Sequence, residues 1–371
     1  MFKCAGIIFG GMLLLLAGCT STYQGSESET VPREWSLTNT VAPPSPAKKN
    51  LPRRPVVNPI PAPVAHVNPP PRKTSPPAPV LTWTSLNRWV AEYNLAAPRK
   101  ITNSPVASYA VSSKRGTLIL EIGSREATWR GINLHLGFAP EIIDDQVFVH
   151  GLDLQKNLGP LLFSEPPAFG TNRVVVLDPG HGGANAGTVS VLDGRPEKEF
   201  TLDWAFRIKS LLATNGWTVF LTRTNDTDIA LSNRVAFAEA HHASLFISLH
   251  FNSSAPDRKQ AGLETYCLTP TGMPSTLTRN YSDLWTDRYP NNAFDAENLQ
   301  LAIRLHTALL RGSGEEDRGI RRARFMGVLH GQNRPAVLIE GGYLSNPHEA
   351  EKIESREFRE KLAEAVADAL K

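Results

Sequence analysis

Apolar residues over the last two hundred positions follow two rhythms. Short aliphatic or β-branched runs at 173–177, 218–222, 245–249, 263–268 and 336–339 predict strands. Between them the spacing turns helical. Phe200, Leu202, Ala205, Ile208, Leu211 and Leu212 predict a helix over 197–215, with Gly216 placed to end it. Ser232 stands where it can cap a helix running through Val235, Ala236 and Ala240. Residues 299–310 predict another helix, and 348–371 one long amphipathic terminal helix. Strand and helix in alternation predict an α/β fold for 172–371, a three-layer domain with a mostly parallel or mixed sheet between helices.

Upstream the pattern changes. Residues 86–91 have the spacing of a short amphipathic helix. Alternating runs at 108–111, 117–123, 126–131, 132–134 and 146–149, separated by turn residues, predict strands. Residues 83–165 therefore read as a small β-rich accessory domain. Residues 19–80 hold about half of the chain's 29 prolines, with Pro43-Pro44, Pro69-Pro70-Pro71 and Pro76-Pro77 in clusters. Such a stretch builds no core and acts as a semi-rigid linker of ~190 Å contour at about 3.1 Å per residue.

The first eighteen residues carry Lys3 and then an unbroken small or apolar run to Gly18. That run is short for a membrane span, which needs about 20 apolar residues, and fits a secretory h-region. It ends Leu16-Ala17-Gly18-Cys19 before polar Thr20-Ser21-Thr22. Small residues directly before a cysteine resemble a bacterial lipobox. The resemblance implies cleavage before Cys19, lipidation of Cys19 and anchorage to a membrane surface, with Thr20 favouring the outer membrane on its periplasmic side. The mature chain would then keep only Cys267 of its three cysteines, so no internal disulfide is possible.

Composition narrows the choice further. A chain of 371 residues, 41% hydrophobic and with net charge +3, is long enough for two or three domains and too apolar for full-length disorder. Its 39 basic residues are nearly balanced by 36 acidic ones, with no basic stripe, which argues against nucleic acid as a partner.

The chemistry gathers at strand ends. One predicted strand runs into Asp178-Pro179-Gly180-His181-Gly182-Gly183, another into His250-Phe251-Asn252, a third into Glu340-Gly341-Gly342, and Glu197 opens the first helix. In open α/β sheets ligands bind outside the carboxyl ends of strands. Two imidazoles and a carboxylate delivered there leave one open tetrahedral position, the arrangement of a catalytic zinc site, and a further carboxylate can move protons. Glu199 competes with Glu197, since a helix N-terminus favours either acid. Asp178 reads as a group orienting the site or its turn. His135, His150, His306, His330 and His348 read as structural or solvent-facing, His241-His242 as a surface helix end, and Cys267 as a core side chain.

The DPGHGG turn after a strand, the Glu197-Lys198 pair opening a helix, the FISLHFNS and PAVLIEGGYLSNP blocks, and Leu221-Thr222-Arg223 followed by Leu231-Ser232-Asn233-Arg234 together resemble the zinc-dependent N-acetylmuramoyl-L-alanine amidase family, type 3, over about 200 residues. The resemblance implies that His181, Glu197 and His250 bind zinc and that Glu340 is the catalytic carboxylate. It also implies peptidoglycan as substrate, cleaved between N-acetylmuramic acid and L-alanine. Asn252 and Arg324 are candidate substrate contacts, Arg324 lying in an arginine-rich segment that resembles the family's substrate-facing one. Residues 83–162 resemble the stalk-like module related to the copper amine oxidase N-terminal domain, a positioning or wall-binding unit. Residues 269–298, with little periodicity, are expected to wall or gate the groove. Two readings stay open beside the amidase: a zinc peptidase or carboxypeptidase of the cell wall, and a non-catalytic wall-binding lipoprotein. Regulatory partners are unknown.

Overall fold

The computed structural model describes residues 82–371 apart from 103–105, 166–168, 170, 280 and 281. The expected export signal, Cys19 and the whole of the proline-rich linker lie outside the described residues. No helix among the described residues is long and apolar enough to cross a membrane.

Strand β1 (Trp83–Ser85) and helix α1 (Leu86–Glu92) open the described chain. An antiparallel meander follows: β2 (Arg99–Thr102), β3 (Ser108–Ser113), β4 (Gly116–Glu121), β5 (Glu126–Trp129) and β6 (Ile132–His135). Its alternation is that of a half-buried sheet. Leu118 and Leu120 point inward, opposite Trp129 and Ala127. Strands β7 (Glu141–Ile143) and β8 (Gln146–His150) join β1 in a separate three-stranded sheet. A helical passage that the pattern did not predict comes next. Helices α2 (Gly151–Asp153) and α3 (Gly159–Leu162) flank a π-helical stretch, Leu154–Leu158.

The larger region contains β9 (Val174–Pro179), α4 (Glu197–Thr214), β10 (Thr218–Leu221), α5 (Leu231–Ala240), β11 (Leu245–Asn252), β12 (Leu263–Cys267), α6 (Asp295–Ser313), β13 (Asp317–Arg322), α7 (Gly327–His330), β14 (Ala336–Tyr343), α8 (Pro347–Glu354) and α9 (Arg356–Ala369). Strands β10, β9, β11 and β14 run parallel, β12 runs against β14, and β13 runs along β12. A single residue pair, Ile320 with Leu134, carries the sheet on into the meander. The result is an eleven-stranded mixed sheet in the order β10-β9-β11-β14-β12-β13-β6-β5-β4-β3-β2.

Successive residues of the central strands serve opposite faces. Val175, Leu177, Ile247, Leu249, Val337 and Ile339 pack with α4, α6 and α9 around Phe200, Trp204, Ile208, Leu305 and Leu362. Val176, Phe246, Ala336 and Leu338 pack on the other face with Ala238 of α5 and Leu329 of α7. This alternation makes the three layers and leaves the carboxyl ends of β9, β11 and β14 at one edge.

Three local expectations change. The terminal helix is two helices, because Ser355 is extended (ψ 135°) and its Oγ accepts a hydrogen bond from the Phe358 amide to start α9 anew. Helix α5 begins after Ala230 with no side-chain cap, so Ser232 lies inside it. The arginine-rich segment before the last strand is β13, whose Gly319, Ile320 and Arg322 are buried.

Candidate metal centre

Each side chain at the sheet edge is aimed by its backbone. His181 follows β9 in the left-handed region, φ 65°, a conformation that costs a non-glycine residue energy and is found mostly where surroundings enforce it. The turn is enforced by two buried arginines. Arg234 donates to the Pro179 and His181 carbonyls, and Arg223 to those of Pro179, Gly180 and Lys198. Asp178 pairs with Arg234 from inside. Its carboxylate accepts from Arg234 (2.6 Å), Thr222 (2.6 Å) and Ser248 (2.8 Å). It orients the turn, as its place in the sequence suggested.

His181, Glu197 and His250 converge. One donor atom from each lies within 4.8 Å of the others. Glu197 bridges the two rings, 3.0 Å from His181 Nε2 and 3.0 Å from His250 Nδ1. Backbone amides fix its oxygens: Phe251 N–H donates to Oε1 and Thr188 N–H to Oε2. Glu199 is exposed, so the competition at the start of α4 goes to Glu197. Asn185 Oδ1 accepts from the Gly187 amide at 3.2 Å, which identifies it as the oxygen, so His181 Nδ1 at 2.9 Å must be its donor. With Nδ1 engaged in this way, Nε2 is the ring nitrogen turned toward the cluster, the one a metal ion would take.

The surroundings leave no room for side chains at two glycines. A Cβ on Gly180 would fall 2.3 Å from the His250 ring, and one on Gly187 would fall 2.5 Å from Glu197 Oε2 and 2.7 Å from the His181 ring. Burial opposes charge on Glu197, but the hydrogen bonds and charges of His181 and His250 outweigh it and hold the carboxyl below its ordinary range. For His181, burial likewise opposes the charged form and the Glu197 contact prevails, raising its pKa. A compact set of two imidazoles and one carboxylate, cradled by glycine, fits a divalent cation of the zinc type.

Glu340 stands across from His250 in the β11–β14 register. Its Oε2 is buried with no hydrogen-bond partner. Burial, and then the negative charge of Glu197, push its carboxyl well above the usual range, while Arg279 works the other way. A buried unpaired carboxyl is costly, and sites of chemistry are where such groups persist.

Asn252, the expected substrate contact on β11, is buried beside this carboxyl. It donates to Glu264 (3.0 Å) and accepts from Arg279 (2.8 Å). Arg324 has a different use from the one its sequence suggested. It is fully buried, and its guanidinium donates to the Pro270 and Met273 carbonyls and to Asp283 (2.5 Å), tying down the long loop after β12. That loop delivers Arg279 to Asn252. Nothing in the composition of 269–298 singled Arg279 out, and Arg223 and Arg234 stood out only as parts of the blocks that resemble the family. Among the other described histidines, His242 and His348 are exposed, while His150, His241 and His306 make structural hydrogen bonds. His150 caps α2, His306 joins Thr265 to Asp317, and His241 bonds the Phe237 carbonyl. Cys267 is a buried core residue.

Residues 175–371 match the family model described as N-acetylmuramoyl-L-alanine amidase. The chain belongs to this family. N-acetylmuramoyl-L-alanine amidase AmiC of Escherichia coli is 32% identical over 243 residues, 59% of this chain and 58% of that protein. AmiA of the same species is 31% identical over 230 residues, 56% of this chain and 78% of that protein. The chain thus spans little more than half of the first of these relatives. Among solved structures, the catalytic domain of CwlV from Bacillus (Paenibacillus) polymyxa var. colistinus is 31% identical, covering 53% of this chain and 96% of that one at a TM-score of 0.44. The family match begins inside β9, so β1–β8 and the helical passage lie outside it.

Proposed function

We infer that the chain is a zinc-dependent peptidoglycan amidase that hydrolyses the amide between the lactyl group of N-acetylmuramic acid and L-alanine. The observation that carries this reading is the donor cluster of His181, Glu197 and His250, within 4.8 Å, with Glu340, whose buried Oε2 has no hydrogen-bond partner among the described residues, paired to His250 in the strand register. Family membership supports the choice of substrate. His181, Glu197 and His250 would hold the zinc ion, which would supply a water of pKa lowered toward about 7 and a Lewis acid for the scissile carbonyl. The chain's own residues do the rest. Asn185 and the Phe251 and Thr188 amides keep the donor atoms in place. Glu340 accepts the proton of the attacking water and returns it to the departing amine of L-alanine. Asn252, two residues after His250 on β11, is held between Glu264 and Arg279 as the candidate substrate contact.

The lipobox-like stretch before Cys19 supports a lipid-anchored protein of the cell envelope, on the outer membrane and facing the periplasm, with the proline-rich stretch as its tether. Mass spectrometry of purified sacculi digested with the zinc-loaded chain tests the activity. Free stem peptides beginning with L-alanine are expected. Products still joined to muramic acid but shortened at their far end would replace the amidase with a carboxypeptidase.

A further inference from the structure

A cavity of about 730 Å³ lies between the meander and the helical layer, away from the metal centre. Its walls come from the turn before β4, from β5 and β6 with the turn between them, and from α3, α6 and α9. The lining is basic: Arg115, Arg130, Arg304, Arg311 and Lys361 face it, against Glu364 and Asp368. Arg115 is already paired with Glu165 (2.6 Å), and Asp368 with Lys371 (2.5 Å). Among the described residues Arg130, Arg304, Arg311 and Lys361 make no ion pair, so four cations face one free acid, Glu364.

Arg304 is the telling member. Half-buried, it packs 4.5 Å above the Phe169 ring. Burial lowers its pKa, and no acid is near enough to reverse the shift. A guanidinium withdrawn from water and left without a counter-ion lacks the carboxylate or phosphate that its planar fork matches. Trp129, Ile132, Leu161 and Ile303 supply apolar floor between the charges. A volume within the roughly 300–1,000 Å³ of small-ligand sites, walled on several sides, suits a discrete oligomer unit better than a flat bilayer.

We propose that this cavity is a second binding site for peptidoglycan, which takes the free carboxylates of an uncleaved stem peptide while another peptide of the same polymer occupies the metal centre. This rests on the amidase reading. Two linked sites on one polymer raise the effective concentration of substrate at the catalytic edge without a new catalytic contact. It also gives the β-rich region a function, since the meander and the catalytic helices build the cavity jointly.

The test separates binding from turnover. The full chain carrying Glu340→Gln is co-sedimented with purified sacculi, with and without Arg304→Gln, Arg311→Gln and Lys361→Gln together. The same triple substitution with Glu340 intact is assayed on a soluble muramoyl peptide. Sacculus affinity is expected to fall about tenfold or more, with soluble turnover within about twofold of the unsubstituted chain. Arg311→Gln with Lys361→Gln, both exposed, gives the same direction should loss of Arg304 disturb the fold. Glu364→Gln is expected to tighten binding. Unchanged sacculus binding overturns the proposal, as does a loss seen only with phosphatidylglycerol vesicles. Failure of the unsubstituted chain to cleave the soluble peptide would sink the amidase reading instead, while the sedimentation result would still report on the cavity.

Discussion

The edge where β9, β11 and β14 end and the seam where the meander meets the larger region are both rich in buried polar groups, yet they are finished differently. At the seam the groups are matched. Asp153 accepts from the Gly137 and Phe138 amides and from Asn157. Arg322 donates to the Leu268 and Lys156 carbonyls and to Asn157, and Arg125 to those of Leu136, Pro274 and Ser275. At the edge, His181 sits in left-handed backbone, three titratable groups crowd one point, and a Glu340 oxygen has no partner. Satisfied polar groups hold parts together, whereas strained and unsatisfied ones mark where the fold gives up stability for chemistry.

Substitutions should separate the two regions. The largest effect is expected from Glu340→Gln, which should lower turnover by about 10²–10⁴-fold with bound metal retained, read by kinetics beside elemental analysis. The same change should raise the thermal stability of the metal-free chain, more at pH 8 than at pH 5. The sign follows from linkage. A carboxyl whose folded pKa lies above its unfolded value adds stability below the unfolded pKa and loses it as pH rises through the folded one, so removing it helps most at high pH. Arg234→Met comes next. It breaks a buried pair with Asp178 and should cost about 3–5 kcal/mol in denaturant unfolding, with weaker metal binding because the His181 turn loosens.

Asp153→Asn at the seam should cost less, about 1–3 kcal/mol, since one acceptor oxygen becomes a donor facing a backbone amide. Turnover of a soluble muramoyl peptide should be unchanged, and a large loss there would erase the distinction between seam and edge. Ser355→Ala should be smallest, about 1 kcal/mol from the lost cap of α9, with no effect on metal content or rate.

Much of the edge was legible in the sequence because strand, turn glycine and ligand are contiguous there. Asp178 to Gly183 reads as a strand end followed by a turn with room for a ligand, and Glu340 ends an aliphatic run where a carboxylate is conspicuous. The seam was not legible. Residues 317–322 hold four charged side chains and only one large apolar one, Ile320, yet they form β13 because β12 on one side and β6 on the other supply the pairing. Arg324 was misread for a related reason. An arginine in a basic segment suggests solvent or substrate, and only the path of the distant loop at Pro270 and Met273 reveals three acceptors waiting inside.

The metal content of three full-length proteins, purified side by side and exposed to equal zinc, tests the proposed centre most directly. One zinc per chain is expected in the unsubstituted protein and in Glu340→Gln, with loss of nearly all of it in His250→Ala. Equal zinc in all three, or none in any, would contradict the assignment of His181, Glu197 and His250 as its ligands.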